Sequence, residues 1–146
     1  MENCYATGDV SGEDCVGGVV GYNCQGTLEN CVALNPNIKN TVNLSLGRIR
    51  GLNSGDILIN NYGRNNMKKN DSGTTWTTDI GPGDKNGANI TTANWSDANW
   101  WKNTSNWSTV NGGSAWDFIN VWDWNSTTNL PILRNMPVGT QNPVVQ

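Results

Sequence analysis

The sequence predicts an all-β protein, a short β-solenoid-like repeat array closed by a Trp-rich β cap, and three observations lead there. The run Gly17-Gly18-Val19-Val20-Gly21-Tyr22-Asn23, followed by Gly26-Thr27-Leu28-Glu29-Asn30-Cys31, returns as Gly47-Arg48-Ile49-Arg50-Gly51-Leu52-Asn53 and Gly55-Asp56-Ile57-Leu58-Ile59-Asn60-Asn61. Gly17 maps to Gly47 and Asn30 to Asn60, both a step of 30 residues. A fixed period of this size marks stacked supersecondary units, each unable to bury its apolar face alone. Charged residues make up only 14% of the 146, and the polarity comes instead from Asn, Ser, Thr and Gly. Asn and Gly tolerate positive φ, and Ser and Thr compete with helical hydrogen bonding, so this composition favours turn-dense strands and very little helix. All eight tryptophans lie at or beyond Trp76, which suits a terminal unit that closes a core on which no further repeat stacks.

The array is expected over residues 1–70. Asn3-Cys4-Tyr5-Ala6 reads like Asn30-Cys31-Val32-Ala33, so the first step is 27 residues and the second 30. Strands are expected at residues 4–10, 16–22, 27–34, 46–52 and 57–62, each short, β-branched or alternating, and bounded by Gly, Asn or Asp. The chain enters this grammar abruptly. Its first residues have neither a basic n-region nor an apolar h-region, so the expectation is a piece of a longer parent whose targeting signal lies upstream.

Residues 71–146 are expected to form the Trp-rich capping region, packed as one unit with the array. Turn-dense loops flank a strand at 74–80. A helical turn is expected at 96–102, with Ser96 as N-cap and Asp97 in the first turn. Residues 115–124 read as one strand, with a bulge near Asn120 because the alternation that buries Trp116 and Phe118 breaks before Trp122. An edge strand is expected over 130–133, with proline tolerated near its start. The tail, 137–146, is expected to be extended and poorly packed.

Several function classes are disfavoured. The net charge of −3 and pI near 4.7 offer no electrostatic footprint for nucleic acid, and Arg64, Lys68 and Lys69 read as a solvated loop. The chain contains no histidine, so the commonest metal ligand and the usual general base near neutral pH are missing. No apolar run is long enough to cross a bilayer.

The residues that carry the repeat resemble a known motif. Asn3-Cys4-Tyr5-Ala6-Thr7-Gly8, then Gly18-Val19-Val20-Gly21-Tyr22-Asn23, then Gly26-Thr27-Leu28-Glu29-Asn30-Cys31 resemble the GLUG motif of large bacterial surface proteins, which include adhesins of gut Bacteroidales and segments of IgA-specific metallopeptidases. The second copy departs from the consensus at Arg48 and Arg50. Trp116-Asp117-Phe118 with Trp122, then Asn129-Leu130-Pro131-Ile132-Leu133-Arg134, resembles the closing segment that follows such repeats. The resemblance implies secretion to a bacterial cell surface, a β-rich repeat fold, and a non-enzymatic role in adhesion or display within a larger protein. The expected partner is a host or bacterial surface glycan or protein. An accessory, substrate-positioning region of a secreted peptidase is the alternative the same resemblance allows, and it transfers no catalytic residue, metal or cofactor to this chain.

Within the residues themselves, Trp95, Trp100, Trp101 and Trp107 are the candidate ligand-binding group. Exposed planar rings stack on sugar faces while nearby Asn and Asp hydrogen-bond hydroxyls, which would make the chain a carbohydrate-binding module. The competing reading is that these rings close a core. Cys4 and Cys31 occupy one motif position in successive units, so stacking would bring them together as a disulfide, with free thiols the alternative. The cysteine spacings lack a close C-x-x-C pair, which argues against zinc. Asp84-Lys85-Asn86-Gly87 resembles the middle of a calcium loop, but Pro82 and Ala93 stand where such a loop needs acids, leaving a glycine-rich turn or a different calcium site at Asp79 and Asp84. Asp117 and Asp123 are a carboxylate pair whose spacing argues for no particular geometry.

Overall fold

A computed structural model describes residues 1–42, 45–73, 76–110, 113–137 and 139–145. The chain first lays down β1 (Tyr5–Ala6), β2 (Val10–Gly12), β3 (Val16–Gly17) and β4 (Val20–Cys24). A second circuit carries β5 (Thr27–Glu29), β6 (Val32–Ala33), β7 (Asn37–Asn40), β8 (Leu46–Gly47) and β9 (Arg50–Ser54). The third begins with β10 (Ile57–Ile59), β11 (Tyr62–Arg64) and β12 (Lys68–Lys69). Each strand pairs in parallel with its counterpart one circuit on, in the rows β1·β6·β11, β2·β7·β12, β3·β8, β4·β9 and β5·β10. β13 (Ala88–Ile90) adds a fourth member to the first row.

The two step lengths in the sequence have a local cause. Tyr5 pairs with Val32, Val10 with Ile38 and Val16 with Leu46, so the offset grows from 27 to 28 to 30. The second circuit is therefore longer by one residue between β6 and β7 and by two between β7 and β8. From there Val20 pairs with Arg50 and Val32 with Tyr62 at the full step of 30.

The strands are shorter and more numerous than the five expected in the array, because corners interrupt them. Asn3, Asn30 and Asn60 have φ of 49°, 55° and 51°, the left-handed region that a strand does not adopt. The same amides knit the corner. Asn30 Nδ2 donates to the carbonyls of Ser108 and Ser114, both at 2.9 Å. Its Oδ1 accepts from Ser108 N at 2.8 Å and from Asn60 Nδ2, one rung up, at 2.9 Å. Further buried asparagines repeat the device: Asn61 Oδ1 accepts from Cys31 N and its Nδ2 donates to the Leu28 carbonyl.

Alternation sorts the apolar side chains into two cores. Val16, Leu28, Ala33, Ile38, Ile49, Met67 and Trp76 pack inside the circuits. Val32 and Leu34, on either side of Ala33, face the other way, joining Ile90, Trp95, Trp101, Trp107, Trp116 and Leu130, with Tyr5 and Tyr62 packed against them. The tryptophan layer thus covers the flank of the β1·β6·β11·β13 row. The interior of the last circuit is covered instead by Trp76, whose Nε1 donates to the Met67 carbonyl at 2.8 Å, and by residues 82–87, where the Pro82 and Lys85 carbonyls accept from Asn61 N and Ile49 N.

Arg48 completes that closure. It is fully buried, and its guanidinium donates to the carbonyls of Asn86, Gly63, Arg64 and Gly87 and to Asn89 Oδ1 at 2.8–3.1 Å. Desolvation holds its pKa down to about 10. Arg48 stands where the first circuit has Gly18. A Cβ on Gly18 would overlap the Arg48 carbonyl and Asn35 Oδ1, so the rung below must be bare.

The C-terminal half departs from expectation in four places. Residues 76–80 are not a strand, and the first part of the strand expected at 74–80 lies outside the described residues. The helical turn is α2 (Ala98–Lys102), capped by Asp97 rather than Ser96, the Asp97 carboxylate accepting from Asn99 N; a four-residue α1 (Thr92–Trp95) precedes it. The single strand expected at 115–124 is broken by a full turn, because the Asp117 carboxylate accepts from Ile119 N, Asn120 N and Asn120 Nδ2. Only β14 (Trp122–Asn125) remains, paired antiparallel with β15 (Leu130–Leu133), the expected edge strand. The tail is tied down, since the Gln141 side chain accepts from Leu133 N and donates to the Leu133 carbonyl, both at 2.7 Å.

The Asn30 corner can be dissected by denaturant unfolding. Asn30→Ala should cost about 3 kcal/mol, from lost buried hydrogen bonds plus a non-glycine residue without side-chain compensation at positive φ. Asn30→Gly should cost about 1 kcal/mol less, because glycine takes the same φ freely. Equal losses in the two variants would show that backbone conformation contributes nothing at this corner.

Candidate functional site

The four candidate tryptophans form one aromatic layer. α1 and α2 are each barely one turn long, and a 3-10 turn at Thr104–Asn106 follows. This run of tight turns sets rings six residues apart on one side. Trp101 Nε1 donates to the Trp95 carbonyl and Trp107 Nε1 to the Trp101 carbonyl, each at 2.7 Å. Trp116 continues the layer, donating from Nε1 to the Asn30 carbonyl at 3.1 Å. Edge-to-face and tilted contacts link Trp101 to Trp116 at 4.7 Å and Trp116 to Trp122 at 4.5 Å between centroids, the arrangement aromatic quadrupoles favour.

Trp95, Trp101 and Trp107 are buried, with Trp101 wholly so, and Trp100 is half-buried. Trp100 packs edge-on against Tyr62, Trp101 and Trp107 at 5.0–5.2 Å. The structure therefore brings all four together but leaves no solvent-facing row of rings. The phenols anchor the layer to the repeats: Tyr5 Oη donates to the Pro131 carbonyl at 2.6 Å and Tyr62 Oη to the Asn106 carbonyl at 3.0 Å. The signal for this ladder was present in the sequence as the spacing Trp95, Trp101, Trp107, a period that belongs to neither helix nor strand and so escapes a search for either.

Cys4 and Cys31 sit on neighbouring rungs, next to the Tyr5–Val32 pair. Parallel neighbours lie about 4.8 Å apart, within the span a disulfide tolerates. All four cysteines are free thiols here. A hydrogen bond from the Cys31 thiol holds half-exposed Cys4 down to about 6, and that bond together with burial pushes Cys31 up.

The candidate carboxylates sit beside cations or are taken up by a turn. Asp79 and Asp84 line one recess with Arg50 and Lys85, cations that offset the charge a calcium ion would require. Asp117 is occupied by its turn, and Asp123 lies 3.7 Å from Arg134. The shortest interior ion pair belongs to the repeat, Arg50 with Asp56 at 2.5 Å, the Asp56 side chain fully buried.

A family profile described as the GLUG motif matches residues 12–39. The matched stretch runs from the end of β2 through most of β7, about one circuit, and includes the Asn30 corner. The chain thus carries a GLUG repeat. No curated protein and no solved structure matches the chain. Among the described residues, no helix is long and apolar enough to cross a membrane.

Two titration experiments read the joint between repeats and aromatic layer. Burial pushes the Tyr5 phenol up to about 12 from 10.0, so the folded chain keeps a proton that the unfolded chain releases in that interval. The contribution is full below pH 10 and drains as pH rises towards 12. Tyr5→Phe should flatten this alkaline loss of stability, measured by tryptophan fluorescence; parallel losses in both proteins would remove Tyr5 as the linked group. For the thiols, iodoacetamide at pH 7 should alkylate Cys4 in the native protein and reach Cys31 only on unfolding, read by peptide mass. Equal native labelling of the two would count against the thiol pair.

Proposed function

We propose that this chain is a non-enzymatic adhesion or display module on a bacterial cell surface, part of a larger secreted protein, built as a short β-solenoid whose flank is sealed by the tryptophan-rich segment. The observation that carries the reading is the register of the parallel rows around the GLUG match. Each strand meets its counterpart one repeat later, an arrangement that extends a surface by adding units and needs no catalytic constellation. The polar chemistry of the chain is spent on that register: the buried asparagines and Arg48 satisfy backbone groups.

The outward faces of two rows suit contact with a partner. Tyr22 and Leu52 pair in register, and with Ile57 they remain 53%, 40% and 51% exposed. Apolar side chains grouped on a regular β surface mark places where proteins meet partners.

Surface placement is tested by shaving intact producing cells with trypsin. Peptides of this chain should be released while cytoplasmic markers stay inside. Release only after lysis would defeat the proposal whatever ligand the chain binds.

A further inference from the structure

The column that carries the asparagine corners also carries two thiols. Cys4 and Cys31 follow Asn3 and Asn30 in successive circuits, one position before the Tyr5–Val32 pair. The two side chains are held alike: the Cys4 thiol donates to the Glu2 carbonyl at 3.2 Å and the Cys31 thiol to the Glu29 carbonyl at 3.3 Å. Glu2 and Glu29 are themselves bridged in parallel, so the sulfurs hang from equivalent places one rung apart. The next rung has Asn61 in the cysteine position, and its Oδ1 accepts from Cys31 N at 2.9 Å. Cys31 and Asn61 are fully buried. Cys4 is half-exposed on the outer strand end of its row. A reagent from solvent therefore meets Cys4 first, and Cys31 lies behind it.

The other two cysteines lack such a neighbour. Cys24 pairs in register with Ser54. Cys15, next to the Val16–Leu46 pair, has Ser45 on the following rung, and its thiol is turned to the Asp14 carboxylate at 3.2 Å, which raises its pKa. At Cys4 the effect is the reverse. When Cys4 loses its proton, the Cys31 S–H is within reach to donate to the thiolate, which holds Cys4 down to about 6. The thiolate is the attacking form, and one that titrates near ambient pH attacks disulfides best. The same hydrogen bond and burial keep the proton on Cys31, so Cys31 acts only after the Cys4 sulfur has lost its charge.

We propose that Cys4 and Cys31 form a thiol–disulfide exchange site for small organic disulfides, with Cys4 attacking and Cys31 resolving. The Cys4 thiolate bonds one sulfur of the disulfide RSSR, the S–S bond breaks, and the first RS⁻ leaves and takes a proton from water. The Cys31 sulfur then bonds the Cys4 sulfur, and its proton goes to the departing second RS⁻. One RSSR is reduced to two RSH, and the two cysteines are oxidised to a disulfide that ties the first circuit to the second. The site is independent of the adhesion reading and stands or fails without it.

The experiment incubates the native full chain with glutathione disulfide at pH 7, quenches it with acid and reads peptide masses after digestion with a glutamyl endopeptidase. Cleavage after Glu2, Glu13 and Glu29 puts Cys4 and Cys31 on separate peptides, with Cys15 and Cys24 on the one between. The parent should give the Cys4 and Cys31 peptides joined, with no glutathione retained on either. Cys31→Ser should stop at the first step and hold one glutathione on Cys4, and Cys4→Ser should leave Cys31 unmodified over the same interval. Tryptophan fluorescence reports whether each variant is folded, and Cys31→Ala serves as the trap if serine at that buried place unfolds the chain. The proposal is overturned if the folded parent keeps glutathione on Cys4 without joining Cys31, if Cys4 stays unmodified, if Cys4 joins Cys15 or Cys24 instead, or if Cys31 in folded Cys4→Ser reacts as fast as Cys4 does in the parent.

Discussion

At Asn3, Asn30 and Asn60 the chain must leave one row of strands and enter the next with its backbone left-handed, and the rest of the structure hangs on how that corner is met. Glycine would take the conformation at no steric cost. Asparagine takes it and brings an amide that glycine lacks. At Asn30 that amide is consumed by Ser108, Ser114 and Asn60, so one residue sets the corner, locks the rung above and fastens the C-terminal segment. Trp116 adds its indole to the Asn30 carbonyl, which makes the corner the joint between the two cores.

Stacked repeats must also stop, and stopping exposes the interior and backbone groups that the next unit would have covered. Here the two problems are solved by different residues. Trp76 and Met67 fill the apolar interior. Arg48 spreads its guanidinium over four carbonyls and one amide oxygen, using the fixed fork of donors that only arginine offers. Its charge has dipoles for company and, among the described residues, no carboxylate paired with it, and burial lowers its pKa. The position that is bare glycine in the first circuit is thus a polar plug in the second.

The aromatic layer is then free of the closing role that its place in the sequence suggested. It covers the outer face of the β1·β6·β11·β13 row, where Tyr5, Val32 and Tyr62 present one apolar column. Ring edges meet ring faces, and each indole N–H in the ladder is spent on a carbonyl one step back. Trp95 begins the series, and its buried N–H has no hydrogen-bond partner among the described residues.

The sequence by itself determined the β class, the repeat step, the alignment of Cys4 with Cys31, the turn near Asp97 and the edge strand at 130–133, because each depends on local conformational preference or on a period. It determined the corners less fully: the asparagines marked boundaries, but strands written as continuous runs were cut at them. What only the tertiary structure decided was which surface each large side chain covers. The tryptophans other than Trp76 lie on the flank rather than the end, Arg48 is interior despite its charge, Asp117 folds a strand into a turn, and Gln141 clasps the tail to an edge. These outcomes turn on whether a distant carbonyl or apolar face is within reach, and such distances are set by the stacked register of the whole chain, which no window of sequence contains.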